Sequence, residues 1–464
     1  MQEILEEIAR RQPCYVELRY HEHVTSSLMA QKGRIDQAGT SRHQGVGVRA
    51  LVNGSWGFSS TSNLERGAIE SAIGRAVEAA RELARSQKKK IPEFSPMALS
   101  RADYEEPGYK ELRAISIEDK IARVVETEQK LLKESALIHT AVVRYNEIFE
   151  HKAIATSDGA ACSRRLVRPE FRTAAFTGSG SEQQVAGRGV GVTGGWQCLF
   201  HHPSAANMVG ETAREAVELL KAGHPEGGVK TVILEPALVG LLCHEAVGHT
   251  VEADFVQSGS VAKGRLGTRV ASDLVTLCDS GIPPYSGGPG GYLPFDDEGV
   301  PCRTTTIIEN GTLKSYLHNR ESAAIMGAEP RGNARAWNYA DEPIIRMTNT
   351  YMLPGTMALE DIIASTADGL LVTGAGGGQA DASGEFMFSA SSAFEIKQGK
   401  LGRRLREVTL SGVAFDVLQT VDAVSREFRW DMGSGYCGKG QPAKVDAGGP
   451  YIRCRLMVGG RQEG

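Results

Sequence analysis

One pattern occurs twice in the first half of this chain, and it narrows the available folds more than any other feature. Arg19-Tyr20-His21-Glu22 opens a β-rich region that closes at Gly54-Ser55-Trp56, and Arg144-Tyr145-Asn146-Glu147 opens another that closes at Gly194-Gly195-Trp196. A helical stretch follows each tryptophan: Leu64 to Arg85 with Ala76-Val77-Glu78, and Ser204 to Ala222 with Ala216-Val217-Glu218. Trp56 and Trp196 stand 140 residues apart, as do Val77 and Val217. Recurrence at a fixed offset reads as a duplicated unit, here several antiparallel strands followed by one helix.

Local signals fill in the rest. Asn53-Gly54, between Val46–Val52 and Trp56–Ser59, predicts a hairpin. Ser116, with Glu118 and Asp119 behind it, predicts a helix over Ile117 to Lys133. Polar, proline-containing Ser86 to Pro107 reads as a linker. From about Val229 the character changes. Val232-Ile233-Leu234 is a short apolar strand, and Pro236 to Asp254 reads as a helix with proline in its first turn. Short β-like runs follow, such as Thr304–Glu309 and Thr312–Leu317 around Asn310-Gly311, and Phe394–Lys397 and Lys400–Leu401 around Gln398-Gly399. The expected class is α+β. Residues 1–225 form an N-terminal domain of duplicated antiparallel-strand-plus-helix units. Residues 226–464 form a predominantly β domain that carries the helix of the chemical site.

Composition removes several function classes. A net charge of −4 lacks the basic excess that phosphate binding needs, so a nucleic-acid binder is not expected. Glu3, Glu6 and Glu7 interrupt any apolar run at the N-terminus, and no window approaches the roughly 18 apolar residues of a membrane helix. The expected location is the cytoplasm. Eight cysteines in 464 residues, without close pairing, read as free thiols or metal ligands rather than a disulfide framework.

The segment that carries chemistry is His244-Glu245-Ala246-Val247-Gly248-His249. Two imidazoles beside a carboxylate, on a helix that follows a strand, suit zinc, which takes neutral histidine nitrogen and leaves one position open in hydrolytic sites. Glu245 is placed to act as general base. The spacing is one residue longer than in the common His-Glu-x-x-His helix. Five residues turn through about 500°, so a regular α-helix would splay the imidazoles by about 140°. Both face one metal only if the helix widens into a π-bulge or ends there, and Gly248 makes such a distortion cheap. For an arbitrary hexapeptide of this pattern, two unrelated histidines on a packed helix are the commoner outcome. Here the helix is apolar from Ala237 to Cys243, so polar groups arriving at its end need partners. A third ligand is required. Glu252 is one candidate, and Cys437, in the glycine-rich turn Gly435-Tyr436-Cys437-Gly438, is the other. Cys243 and Cys454 read as core. Thr373 to Gln379 is glycine-rich but lacks the Gly-Lys-Ser/Thr ending of a phosphate cradle, and it reads, like Ser286 to Tyr292, as a flexible loop.

These residues, taken together, match a known pattern. His244-Glu-Ala-Val-Gly-His249-Thr-Val-Glu252-Ala-Asp254, Phe295-Asp-Asp-Glu-Gly-Val-Pro301, Arg346-Met-Thr-Asn-Thr350, Gly384-Glu-Phe-Met-Phe-Ser389 and Cys437-Gly-Lys-Gly-Gln441 resemble the TldD/PmbA family of metallopeptidases, on its TldD-like, metal-binding side. The resemblance spans almost the whole chain. It implies zinc bound by His244, His249 and Cys437, with Glu245 as the base that activates a zinc-bound water. It also implies extended or unfolded peptide substrates and assembly as a homodimer or with a PmbA-like subunit. One departure is that the cysteine segment lacks a residue that many members carry between Gly-Lys and Gly-Gln. Two other functions compete with a zinc peptidase: a non-catalytic peptide-binding subunit with a structural metal, and a metal-dependent amidase acting on a small molecule.

Overall fold

The computed structural model describes residues 1–180, 182–285 and 289–459. Ser286 to Gly288, the start of one glycine-rich stretch, lie outside the described residues.

Seven strands of the N-terminal half form one sheet. They are β1 (Tyr15–Gln31), β2 (Arg34–Val52), β3 (Ser55–Thr61), β4 (Asp103–Glu105), β5 (Ile138–Thr156), β6 (Ala161–Ser179) and β7 (Glu182–Gly191), in the order β3-β2-β1-β5-β6-β4 with β7 also on β6. Antiparallel β1 and β5 join its two halves, Tyr20 facing Ala153 and Leu28 facing Tyr145. Helices α1 (Gln2–Arg10) and α2 (Arg66–Ser86) flank the first three strands, and α3 (Ile117–Lys133) and α4 (Met208–Leu219) flank β5 to β7. The same helix–three strands–helix unit therefore occurs twice.

The tryptophans are not its equivalent points. Trp56 lies within β3, whereas Trp196 begins a short helix after β7. The second and third strands recur at an offset of 127, from Arg34 to Ala161 and from Ser55 to Glu182, while Ala76 and Ala216 in the helices keep 140. Short helices Trp196–His201 and Pro203–Ala206 supply the extra length and divide the helix expected over Ser204 to Ala222. The helix over Ile117–Lys133 starts as expected, with the Ser116 hydroxyl accepting from the Asp119 amide.

The sheet has two different faces. Val16, Leu18, Val46 and Val48 pack against Leu5, Ile8, Ile69 and Ile73 of the helices. The alternate residues Glu17, Arg19, His21, His23, Arg49 and Lys152 are also buried, against the C-terminal half. Arg49 binds Glu17 at 2.6 Å and Glu298 at 2.7 Å, and Lys152 binds Asp297 at 2.8 Å. A paired charged layer thus joins the two halves.

The C-terminal half is built on a closed five-stranded barrel of β8 (Gly228–Leu234), β9 (Asp368–Ala380), β10 (Glu385–Lys397), β11 (Lys400–Val413) and β12 (Ile452–Gly459). The strands pair in sequence order and β12 returns to β8. β9 is the glycine-rich run read as a loop from sequence. It is a strand with a bulge between Ala375 and Gly378, because its small residues let the β10 backbone and the Phe388 ring approach closely. The asparagine–glycine and glutamine–glycine pairs close their hairpins with both residues at positive φ, although the strand after Gly311 extends only over Thr312–Leu313. Among the described residues, no helix is long and apolar enough to cross a membrane.

Candidate metal centre

After β8 the chain turns into a helix with Pro236 at its first position. Residues Pro236–Leu241 are α-helical, Leu242–Gly248 are π-helical and His249–Val251 form a 3-10 turn. Leu238, Val239, Leu242, Cys243, Ala246 and Val247 pack into the barrel core. The wide turn coincides with the five-residue spacing and brings the two imidazoles together, ring centroids 5.3 Å apart. Gly248 is required for a different reason from the one its sequence suggested. Its φ of −54° and ψ of −49° are open to any residue, but a Cβ there would lie 2.0 Å from Sδ of Met347.

Cys437 arrives from a two-stranded hairpin, Tyr436–Gly438 with Pro442–Lys444. Its turn is tight, with Gly440 at φ +72° and the Lys439 amide donating to the Gln441 carbonyl at 3.2 Å. Buried Arg346 clamps both ends of that turn, donating to the Cys437 carbonyl at 2.7 Å and the Gln441 carbonyl at 2.6 Å. The Gln441 side chain in turn accepts from the Trp337 amide at 2.7 Å.

One donor atom from each of His244, His249 and Cys437 lies within 4.8 Å of the others. The thiol sulfur is 3.1 Å from Nε2 of His249. Nδ1 of His249 is 2.8 Å from the Oε2 oxygen of Glu252, which is fully buried and is held by Lys439 at 3.1 Å. Lys439 also binds Asp254 at 2.7 Å and the Ile345 carbonyl at 3.0 Å. Glu252 therefore occupies the far side of the His249 ring from Cys437, where a carboxylate orients an imidazole rather than sharing its ion. Glu245 is half-exposed, with Oε2 3.7 Å from Nε2 of His249.

The electrostatics suit a cation. Burial alone would push the Cys437 thiol up, but the imidazoles of His244 and His249 outweigh it and bring the thiol down to about 4. Burial would lower His249, yet Cys437 and Glu252 raise it to about 10. An anionic sulfur and a buried carboxylate thus converge on one imidazole, leaving a thiolate ready to ligate. His244 is buried, and among the described residues neither of its ring nitrogens has a well-formed hydrogen bond, the Cys437 thiol being its polar neighbour. An imidazole left so is costly, and an ion at the meeting point of the three donors removes that cost. The donor set fits the metal expected from the sequence.

A cavity of about 470 Å³ opens in front of these residues. Glu245, His249 and Phe255 form one side, Gly378 to Ala382 another, and Tyr436, Gly438 and Lys439 a third. Cys243 and Cys454 are buried in the core, as their flanking sequence implied. His21 and His23 are buried in the charged layer between the halves, with His23 against Trp337, and neither joins the three-donor cluster. The roles of Lys439 and Arg346 were not apparent beforehand. Their signal was position alone, since each sits inside a polar motif next to apolar strand residues.

Comparison with known proteins follows the same residues. The model for the PmbA/TldA metallopeptidase C-terminal domain matches residues 227–460. The corresponding models for domain 1 and the central domain match residues 16–84 and 110–222. The chain belongs to the PmbA/TldD metallopeptidase family. A metalloprotease of Methanocaldococcus jannaschii is 34% identical over 455 residues, covering 96% of each chain. A Haemophilus influenzae metalloprotease described as a TldD homolog is 30% identical over 465 residues, 98% of this chain and 95% of its own. A zinc metalloprotease TldD homolog of Saccharolobus solfataricus is 35% identical over 249 residues, 53% of this chain and 55% of its own. Among solved structures, TldE from Thermococcus kodakarensis superposes with a TM-score of 0.77 at 19% identity, over 98% of this chain and 99% of its own. A Thermotoga maritima protein superposes with a TM-score of 0.78 at 21% identity, over 99% of each. Those two likenesses establish the fold.

Proposed function

We propose that this PmbA/TldD-family chain is a zinc-dependent peptidase acting on extended or unfolded peptides, with His244, His249 and Cys437 as metal ligands and Glu245 as general base. The observation that carries the reading is the convergence of two imidazoles and a depressed thiol within 4.8 Å, beside a half-exposed carboxylate, at the head of a cavity. Two imidazoles and a thiolate favour zinc over magnesium or calcium. Bound there, zinc polarises a carbonyl and acidifies water. The residues of the chain do the rest. Glu252 and Lys439 hold the His249 ring in one orientation. Arg346 holds the hairpin that presents Cys437. Glu245, neither buried nor paired more closely than 3.7 Å, is free to accept a proton from the attacking water and return it to the leaving amine.

The preference for extended substrates is supported by β9. β8 pairs with it only as far as Val372, and beyond that point no strand covers the same edge among the described residues. Part of this open edge, Gly378 to Ala380, lines the cavity. A peptide added there as a strand is held by main-chain hydrogen bonds, which ignore side chains. An N-methylated peptide should then be cleaved much less well than its parent, and equal cleavage would overturn this mode. Assembly with a PmbA-like partner, or with a second copy, is supported by the shared fold with TldE.

The direct test couples metal content to turnover. Glu245→Gln should retain one zinc per chain by elemental analysis while peptide cleavage falls by about a hundredfold or more. Full activity in that variant would remove Glu245 from the mechanism. Cys437→Ala should lose zinc. Retention of full zinc there, with loss in Glu252→Ala, would transfer the third ligand to Glu252.

A further inference from the structure

The cavity at the metal centre does not end there. A second cavity of about 640 Å³ shares two of its walls. One wall is β9 and the turn after it: Gly378 to Ala382 line the first cavity, and Ala375 to Gly377 line the second. The other wall is the cysteine hairpin and the segment leading into it: Tyr436 and Gly438 line the first, and Asp431, Met432, Ser434 and Gly435 line the second. The two cavities therefore adjoin along both segments, and together they are taken as one cleft. Its far end is closed by the N-terminal sheet, which contributes Arg144 from β5, Arg172 from β6 and Arg188 from β7.

The charge balance of that far end is positive. Arg144 makes no ion pair among the described residues, and its nearest polar contact is Nε to the Met29 sulfur at 3.4 Å. Arg172 donates to the Ser434 carbonyl, and its nearest carboxylate, Glu170 at 4.0 Å, is buried and taken by Lys444. Arg188 is the compensated one, paired with Glu215 at 3.0 Å and Glu211 at 3.4 Å. The single carboxylate in the lining, Asp431, is held by Arg429 at 3.1 Å and by the Ser204 hydroxyl at 2.8 Å. Among the described residues Arg144 thus faces the cleft without a counter-charge, and Arg172 with only its 4.0 Å contact to a carboxylate shared with Lys444. Measured along β9, Ala380 in the first cavity and Gly376 in the second are four residues apart, at most about 13 Å of chain given the bulge at Ala375 to Gly378.

We propose that the arginine end of this cleft is a subsite for a substrate carboxylate, placed about four residues from the bond presented to the metal centre. The proposal rests on the peptidase reading and deepens it: the enzyme is indifferent to most side chains along β9 but selects for negative charge at one distance. The carboxylate is either an acidic side chain or the substrate's own C-terminus. Guanidinium forks suit both.

Binding and cleavage separate this proposal from the reading beneath it. The probe is a set of fluorescein-labelled decapeptides of alanine, serine and valine, each carrying one glutamate walked along the chain, compared with glutamine at the same position. Each is made with a free and with an amidated C-terminus. Affinity is measured by anisotropy on the full-length Glu245→Gln chain loaded with zinc. One glutamate position should bind about fivefold tighter than its glutamine counterpart. The advantage should shrink as salt is raised and disappear in a second variant that also carries Arg144→Gln, with an unchanged melting temperature. A gain that depends on the free C-terminus instead assigns the subsite to the terminal carboxylate. Equal affinity for every glutamate and glutamine pair and for both termini overturns the proposal, as does a preference that Arg144→Gln leaves intact. If the unmutated chain cleaves none of these peptides yet the charge preference in binding remains, the hydrolytic reading fails and the subsite stands.

Discussion

Gly248 and Glu252 show how much of the centre depends on single atoms. At Gly248 the backbone is ordinary, and the constraint is the thioether of Met347 against the helix. Gly248→Ala should therefore cost about 1–3 kcal/mol through overpacking, seen as a lower melting temperature, and should reduce zinc content because the π-turn cannot close. Restoring space with Met347→Ala in the same chain should recover part of the zinc. Glu252 acts through His249. Glu252→Gln should weaken zinc affinity by about 10- to 100-fold, read by competition with a chelator, while leaving the zinc stoichiometry at saturation unchanged. The sequence placed Glu252 among the candidate ligands because three residues separate it from His249. The chain turns extended at Glu252, with ψ +126°, and that turn directs its carboxylate to Nδ1.

At the scale of elements, the centre is a helix held against a hairpin. The helix is anchored by the barrel core, and the turn of the hairpin is clamped at both ends by one guanidinium. Arg346→Ala leaves the buried Cys437 carbonyl without its donor and the Gln441 carbonyl with the Lys439 amide alone. We expect a loss of about 2–4 kcal/mol of stability and a fall in zinc affinity, both measurable on the purified variant by denaturation and chelator competition. The π-turn itself was legible in the sequence, since five-residue spacing admits few other ways to bring His244 and His249 together. The strand character of β9 was not. Its glycines imply a loop on propensity, and only close packing against Phe388 and the β10 backbone makes glycine the residue that fits a strand there.

At the scale of the whole molecule, the two halves meet through buried charge, and that makes stability depend on pH. Burial lowers His23 to about 4, and burial likewise lowers His318 to about 4. The unfolded chain takes up these protons near pH 6.5, before the folded chain does. The contribution of these two imidazoles to stability is therefore full above pH 6.5 and is lost as pH falls from 6.5 through 4. Asp297, held low by Lys152 and Arg164 against its burial, extends the loss to more acid solution. Between pH 7.5 and 4.5 the denaturant midpoint of the unmutated chain should fall relative to that of His318→Gln, because only the unmutated chain loses the neutral, buried imidazole. Identical pH dependence in the two chains would contradict the neutral, buried state of His318.

The sequence by itself determined the α+β class, the doubled strand-and-helix unit, the helix carrying His244 and His249, and the need for a distortion between them. Each of these rests on local periodicity, capping and spacing, or on the recurrence of a pattern along the chain. What brings Cys437 to the histidines was decided only in the tertiary structure. It depends on Arg346 reaching a hairpin ninety residues away, on the barrel that fixes the helix, and on the charged layer that seats one half on the other. Contacts between residues so far apart in the chain leave no period and no local propensity. They become legible only when packing has chosen which of many polar side chains meet.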